Sequence, residues 1–275
     1  MKTCIHTVIY NEPKEYLEAW LNHHTKMVDH IFIFEDLDSH SHKSVTDNYP
    51  NVTLLSVTDI CDEKMIRANK EKGRANQRYY LRDGILWIQS LKEYDWAFTI
   101  DIDEFITLQP PYKSVSEVLS DFQDRCAVLL QWQNIGACGR INKPDYQGRD
   151  YREFYTEPAS DSDWDGKVCA NTKIVWNLNK ITKFNLTGIH CCAGDWVKTN
   201  GEKNRRKKVY DKMYLAHFLT KSFEEYLWKI YVRGLFSKDR HRKVDDFFQI
   251  NTDMSIMYDE CMTFEKEFKN KNNIK

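Results

Sequence analysis

Long apolar runs are missing from this chain of 275 residues. No window approaches the roughly 18 uninterrupted apolar residues that mark a membrane span. Met1-Lys2 leads straight into "TCIHTVIY", which is too short and too mixed for the apolar core of a signal peptide. An excess of charge of either sign is missing too. Lys plus Arg is 40 and Asp plus Glu is 41, a net of -1, so nothing draws the whole chain to nucleic acid or to an anionic membrane. No CxxC pair occurs among the eight cysteines (Cys4, Cys61, Cys126, Cys138, Cys169, Cys191, Cys192, Cys261). Scattered thiols without framework spacing fit a reducing compartment, and the expectation is a cytoplasmic protein with reduced, mostly buried cysteines. Internal repeats and linkers are absent as well, which makes one domain the default.

What is present is an alternation of strands and helices. "TCIHTVIY" (3–10), "HIFIFED" (30–36) and "NVTLLSV" (51–57) read as short strands rich in β-branched and aromatic residues. Between the first two, Pro13 suits a first helical turn, and Leu17, Trp20, Leu21, His24 and Val28 share one helical face. A second helix carries the stripe Tyr80, Gly84, Trp87, Ile88 and Leu91. "DWAFTIDIDEFITL" (95–108) reads as a fourth strand. Such alternation predicts an α/β fold with an open, mostly parallel sheet. Further strands are expected at "AVLLQWQN", "TKIVWNL" and "KFNLTGIHCCAG". An amphipathic helix at 222–236 would bury Phe223, Leu227, Ile230 and Leu235.

Ligands of open α/β sheets sit beyond the carboxyl ends of the strands. Asn11-Glu12, Asp36 and Asp101–Asp103 each fall at such an end. In an extended segment Asp101 and Asp103 share a face while Ile100 and Ile102 turn inward. Two carboxylates so placed can hold one hard cation, Mn²⁺ or Mg²⁺, together with a diphosphate. The bland reading of an isolated Asp-x-Asp is a solvated turn. A haloacid dehalogenase-type phosphatase also uses this pattern, but there it opens the domain and continues with Thr or Val rather than Glu104.

Three blocks resemble glycosyltransferases of GT-A fold, of the family 2-like and family 92-like group. These are "VIYNEPKEYLEAWLNHHTKMVDHIFIFED", "WAFTIDIDEFI" and "AHFLTKSFEEYLWKIYVRG", in that order and spanning residues 8 to 234. Phe218 replaces a usual Tyr, and "NIGACG" stands where the family has a Phe-Gly-Ser-x-Gly turn.

The resemblance implies sugar transfer from a nucleotide-sugar, most often a UDP-sugar, to a glycan or lipid-linked glycan, with inversion at the anomeric carbon. It implies a metal site of Asp101, Asp103 and His190. Donor contacts would come from Asn11, Glu12, Asp36, Arg74, Gln77, Asp101, His217 and Lys221, and the base from Asp163 or Asp165, with Trp164 as a stacking surface. Residues 1–240 would form the catalytic domain, with a nucleotide-binding half over 1–108 and an acceptor half over 109–240. Residues 241–275 would be a helical extension. The basic run Lys203–Lys208 reads as a solvated loop or as a peripheral contact with anionic lipid. A carbohydrate-binding module that keeps the fold without catalysis is the competing non-enzymatic reading.

Overall fold

A computed structural model describes residues 1–72, 76–159, 171–188, 190, 192–204, 207–233 and 243–274. Its strands are β1 (Thr3–Ile9), β2 (His30–Glu35), β3 (Val52–Ser56), β4 (Trp96–Thr99), β5 (Glu104–Leu108), β6 (Ala127–Asn134), β7 (Thr172–Asn177), β8 (Trp196–Lys198) and β9 (Met213–His217). The helices are α1 (Lys14–His24), α2 (Lys43–Thr46), α3 (Glu63–Glu71), α4 (Gln77–Leu91), α5 (Val115–Leu119), α6 (Phe223–Leu227), α7 (Val244–Ile250) and α8 (Tyr258–Lys271). Alpha/beta is the class the alternation predicts.

One sheet runs in the order β3-β2-β1-β4-β7-β6-β9-β5, with β8 beside β6. Its first four strands are parallel, as expected of strands joined by helical crossovers. Beyond β4 the sheet is mixed: β7 runs antiparallel between β4 and β6, and β5 antiparallel to β9. Both faces are covered, so successive residues of β1 feed different layers. Ile5 and Ile9 join Leu17, Trp20 and Leu21 of α1, while Cys4 and Val8 join Tyr80, Ile85 and Ile88 of α4. This is why a sheet buried on both sides reads as a continuous apolar run. Gly84 has a steric reason on α4. A Cβ there would lie 2.2 Å from Nε2 of His6, whose buried ring fills that space.

Three sequence expectations change. The segment 95–108 is two strands, because Ile100–Asp103 forms a turn closed by the Glu104 N–H donating to the Asp101 carbonyl (3.1 Å). Its halves then pair with different partners, β4 with β1 and β7, and β5 with β9. Around "KFNLTGIHCCAG" the described residues form no strand. Asn185 folds the chain back instead, its side chain accepting from Thr182 N–H (2.6 Å) and its carbonyl from Ala193 N–H (3.1 Å). Among the described residues of the helix expected at 222–236, only α6 is α-helical and Trp228 to Arg233 wind as a π-helix, while Leu235 lies outside the described residues.

Candidate active site

The carboxyl ends of β1, β2 and β4 open on one side of the sheet, and the turn after β4 carries the acidic motif. Ile100 and Ile102 are buried, while Asp101 and Asp103 are partly open. The expected inside–outside alternation therefore survives in a turn. Sheet register then assembles the rest. Asn134 of β6 lies beside His217 of β9, and His217 lies beside Glu104 of β5. Three distant segments thus set an amide, an imidazole and a carboxyl in one row.

Asp103, Glu104 and His217 each offer a ligand atom, and these atoms lie within 4.8 Å of one another. His217 Nδ1 faces the Asn134 side-chain oxygen at 3.1 Å, so Nδ1–H donates there and Nε2 is the atom turned to Asp103, 3.5 Å away. An imidazole braced through one nitrogen with the other aimed at a carboxylate is the arrangement of a metal-ligating histidine. Glu104 is fully buried, and its Oε1 has no hydrogen-bond partner; its Oε2 accepts from the Asp101 N–H (2.9 Å). Carboxylate oxygens and an imidazole, with one buried oxygen among them accepting no hydrogen bond, fit Mn²⁺ or Mg²⁺.

Two lysines already hold the acids. Lys173, fully buried on β7, donates to Asp101 Oδ2 (2.6 Å) and lies 3.5 Å from Glu104 Oε1. Lys229, on the π-helical turn, donates to Asp103 Oδ2 (2.6 Å) and to the Leu219 carbonyl (3.2 Å). Burial would raise the Asp103 carboxyl, but Lys229 and His217 outweigh it and hold the group well below the carboxylate range. Glu104 goes the other way. Burial pushes it well above that range, with the charge of Lys173 only partly opposing.

The remaining expected residues fall around this centre. His190 donates from Nδ1 to the Thr172 carbonyl (2.8 Å), and its ring meets Trp132, which also contacts His217. Burial, then the nearby Lys173 charge, depresses the His190 imidazole to about 4. The compact donor set thus shares Asp103 with the expected one, but Glu104 and His217 stand in it where Asp101 and His190 were expected. Lys221 is buried in a left-handed conformation (φ 54°), its ammonium over the rings of Tyr16 (4.4 Å) and Tyr151 (5.2 Å). Glu12 is paired with Arg233. Asn11 accepts from the His40 N–H (2.8 Å). Both open on a cavity of about 360 Å³ that Tyr16, Glu225 and Trp228 also line. Asp36 is buried and already partnered by the Tyr80 hydroxyl (2.9 Å) and Lys70 (3.2 Å).

Arg74, Asp163, Trp164 and Asp165 lie outside the described residues, as does the side chain of Gln77. In the basic run, Lys203 pairs with Asp195 (2.5 Å) and Lys207 with Glu202 (2.6 Å), which leaves less of its charge for a lipid surface. Among the described residues no helix is long and apolar enough to cross a membrane. Sequence reasoning missed Asn134, Lys173 and Lys229. Lys229 stands in a segment that carries the family resemblance and Lys173 in an expected strand, but only strand pairing and helix winding direct them to the acids.

Comparison with known proteins settles the class. Residues 1–260 match glycosyltransferase family 92. The chain belongs to that family. It is a glycosyltransferase. No curated protein matches it. Among solved structures it is similar to a protein described as a nucleotide-diphospho-sugar transferase from Desulfovibrio desulfuricans G20, at 11% identity and a TM-score of 0.35, covering 72% of this chain and 80% of that one. It is also similar to S. aureus TarS, at 13% identity and a TM-score of 0.38, covering 82% of this chain and 38% of that one.

Proposed function

We propose that this family 92 member moves a sugar from a nucleotide-sugar, with a UDP-sugar as first choice, to a glycan or lipid-linked glycan acceptor, and that it needs a divalent cation. The observation that carries the reading is the donor set of Asp103, Glu104 and His217, whose ligand atoms lie within 4.8 Å of one another, with a buried Glu104 oxygen that accepts no hydrogen bond. A bound Mn²⁺ or Mg²⁺ would offset the charge that develops on the departing diphosphate. Lys221 and Arg233 add fixed positive charge on the same side, while Asn11 and Glu12 line the neighbouring cavity for the nucleoside or sugar hydroxyls. Asp163 or Asp165 is the proposed base that takes the acceptor proton; it belongs to the acceptor half over 109–240, which faces a nucleotide-binding half over 1–108. Inversion follows from a single displacement with that base.

The test is UDP release from a panel of UDP-sugars, with Mn²⁺ and with EDTA. Release that depends on Mn²⁺ supports the reading, and no release from any donor removes it. Asp103→Ala should abolish Mn²⁺-dependent UDP binding in calorimetry while the thermal melt stays cooperative. Unchanged UDP affinity in that variant would take Asp103 out of the site.

A further inference from the structure

Asp103 divides its two oxygens. Oδ1 faces His217 within the donor set, and Oδ2 receives the Lys229 ammonium at 2.6 Å. Resting on the nucleotide-sugar reading above, we propose that Lys229 is a tethered cation exchanged during donor binding. It holds Asp103 in the metal-free protein, leaves it when a divalent cation arrives, and passes to the diphosphate of the donor.

The two lysines of the site are built differently. Lys173 rises from the middle of the sheet, has no exposure, and bridges Asp101 and Glu104, so it is fixed. Lys229 projects from the π-helical turn Trp228–Arg233, with its side chain 12% exposed. Such wide turns recur at functional sites, where the i→i+5 winding re-aims side chains. Its ammonium is secured by Asp103 and by the Leu219 carbonyl, and four bonds of side chain allow it to turn away. An ammonium and a divalent cation on one carboxylate repel each other at close range in a dry site. Both cannot stay.

The destination follows from charge. Lys221 and Arg233 stand against the carboxylates of Asp103, Glu225 and Glu12, two cations to three acids, and a divalent cation at Asp103 would turn that balance positive. A nucleoside diphosphate brings the anion that would balance a third cation there. A mobile ammonium suits that role as a point charge without a fixed bonding fork. The exchange also explains how a site with three neighbouring acids remains neutralised without metal: Lys229 does at Asp103 what the cation would do later.

Calorimetry on the full chain tests this without turnover. With no nucleotide present, Lys229→Met should bind Mn²⁺ at least about tenfold more tightly than the unaltered protein, because a competing charge is gone. In saturating Mn²⁺ the same variant should bind UDP at least about tenfold more weakly, because the diphosphate has lost a partner. Lys229→Gln, which keeps a polar head, should shift both affinities in the same directions, and thermal melts confirm that each variant is folded. Equal Mn²⁺ affinities would overturn the competition, and an unchanged UDP affinity would overturn the transfer to phosphate. Absence of Mn²⁺ binding in every form would remove the exchange and the cation site together. UDP-sugar cleavage continuing in EDTA would then leave sugar transfer standing without metal.

Discussion

His24 shows how a residue quoted for its place on a helical stripe takes on a second role once neighbours close around it. It is fully buried, donates from Nδ1 to the Trp20 carbonyl (2.9 Å), and accepts the Ile106 N–H at Nε2 (3.2 Å). That pair of bonds requires the neutral ring. Burial first, then the charges of His23 and Arg152, hold its imidazole well below the ordinary value. His6 is similar: burial takes it to about 3, with Asp101 and Lys173 acting in opposite directions. Both rings stay neutral in the folded chain but take up a proton below pH ~6.5 once unfolded. The unfolded state then binds more protons, so stability is complete above that pH and falls as acid is added. Each ring contributes a slope of roughly 1.4 kcal/mol per pH unit. The urea midpoint should therefore drop between pH 7.5 and pH 5.0, and His24→Gln should flatten the dependence. A midpoint constant across that range would contradict neutral burial of either ring.

Helix α6 shows what an element does that its stripe does not disclose. Phe223 and Leu227 face inward as periodicity requires, but Glu225 between them is also buried. Its carboxylate accepts the hydroxyls of Tyr16, Tyr146 and Tyr155, and that of Ser222 at 2.6 Å, which also caps the helix. One acid thus ties α1, the 146–155 segment and α6 together beneath Lys221. Glu225→Ala would strand three buried phenols, so we expect a loss of about 3 kcal/mol or more by urea unfolding. A loss under about 1 kcal/mol would mean that water or repacking satisfies them. The hub was hidden because its three phenol donors lie 70 to 209 residues from Glu225 in the chain. The same limit explains what was legible elsewhere. β1, β2, β3, α1 and α4 announce themselves by local period, and the acidic motif by its contrast with apolar flanks. The split of 95–108 left no Gly or Pro to mark it. The row Asn134–His217–Glu104 exists only through pairing among β5, β6 and β9.

At the scale of the molecule, the question is whether residues beyond 240 are an appendage or part of the machine. A division at 240 cuts through a single apolar cluster. Phe223, Tyr226 and Leu227 of the site-bearing helix pack with Val244, Phe247, Phe248, Met254 and Cys261. The Phe223 and Phe247 rings meet at 4.9 Å, and the Tyr226 hydroxyl donates to the Lys243 carbonyl (2.9 Å). Asn251 completes the seam. It is fully buried, accepts the Ala137 N–H (2.7 Å), and donates to the Thr220 hydroxyl (3.3 Å), one residue before Lys221. The family match runs to residue 260, past α7. Burying a large apolar side chain contributes roughly 1.5–3 kcal/mol, so losing Val244, Phe247, Ile250 and Met254 alone would remove roughly 6–12 kcal/mol. That is comparable with the whole stability of a typical domain, about 5–15 kcal/mol. A chain ending at 243 should accordingly lose its cooperative thermal transition and its near-ultraviolet circular dichroism. If it instead melts as the full chain does and still binds UDP with Mn²⁺, then α7 and α8 are an extension, and the seam at Asn251 does not support the Lys221 turn.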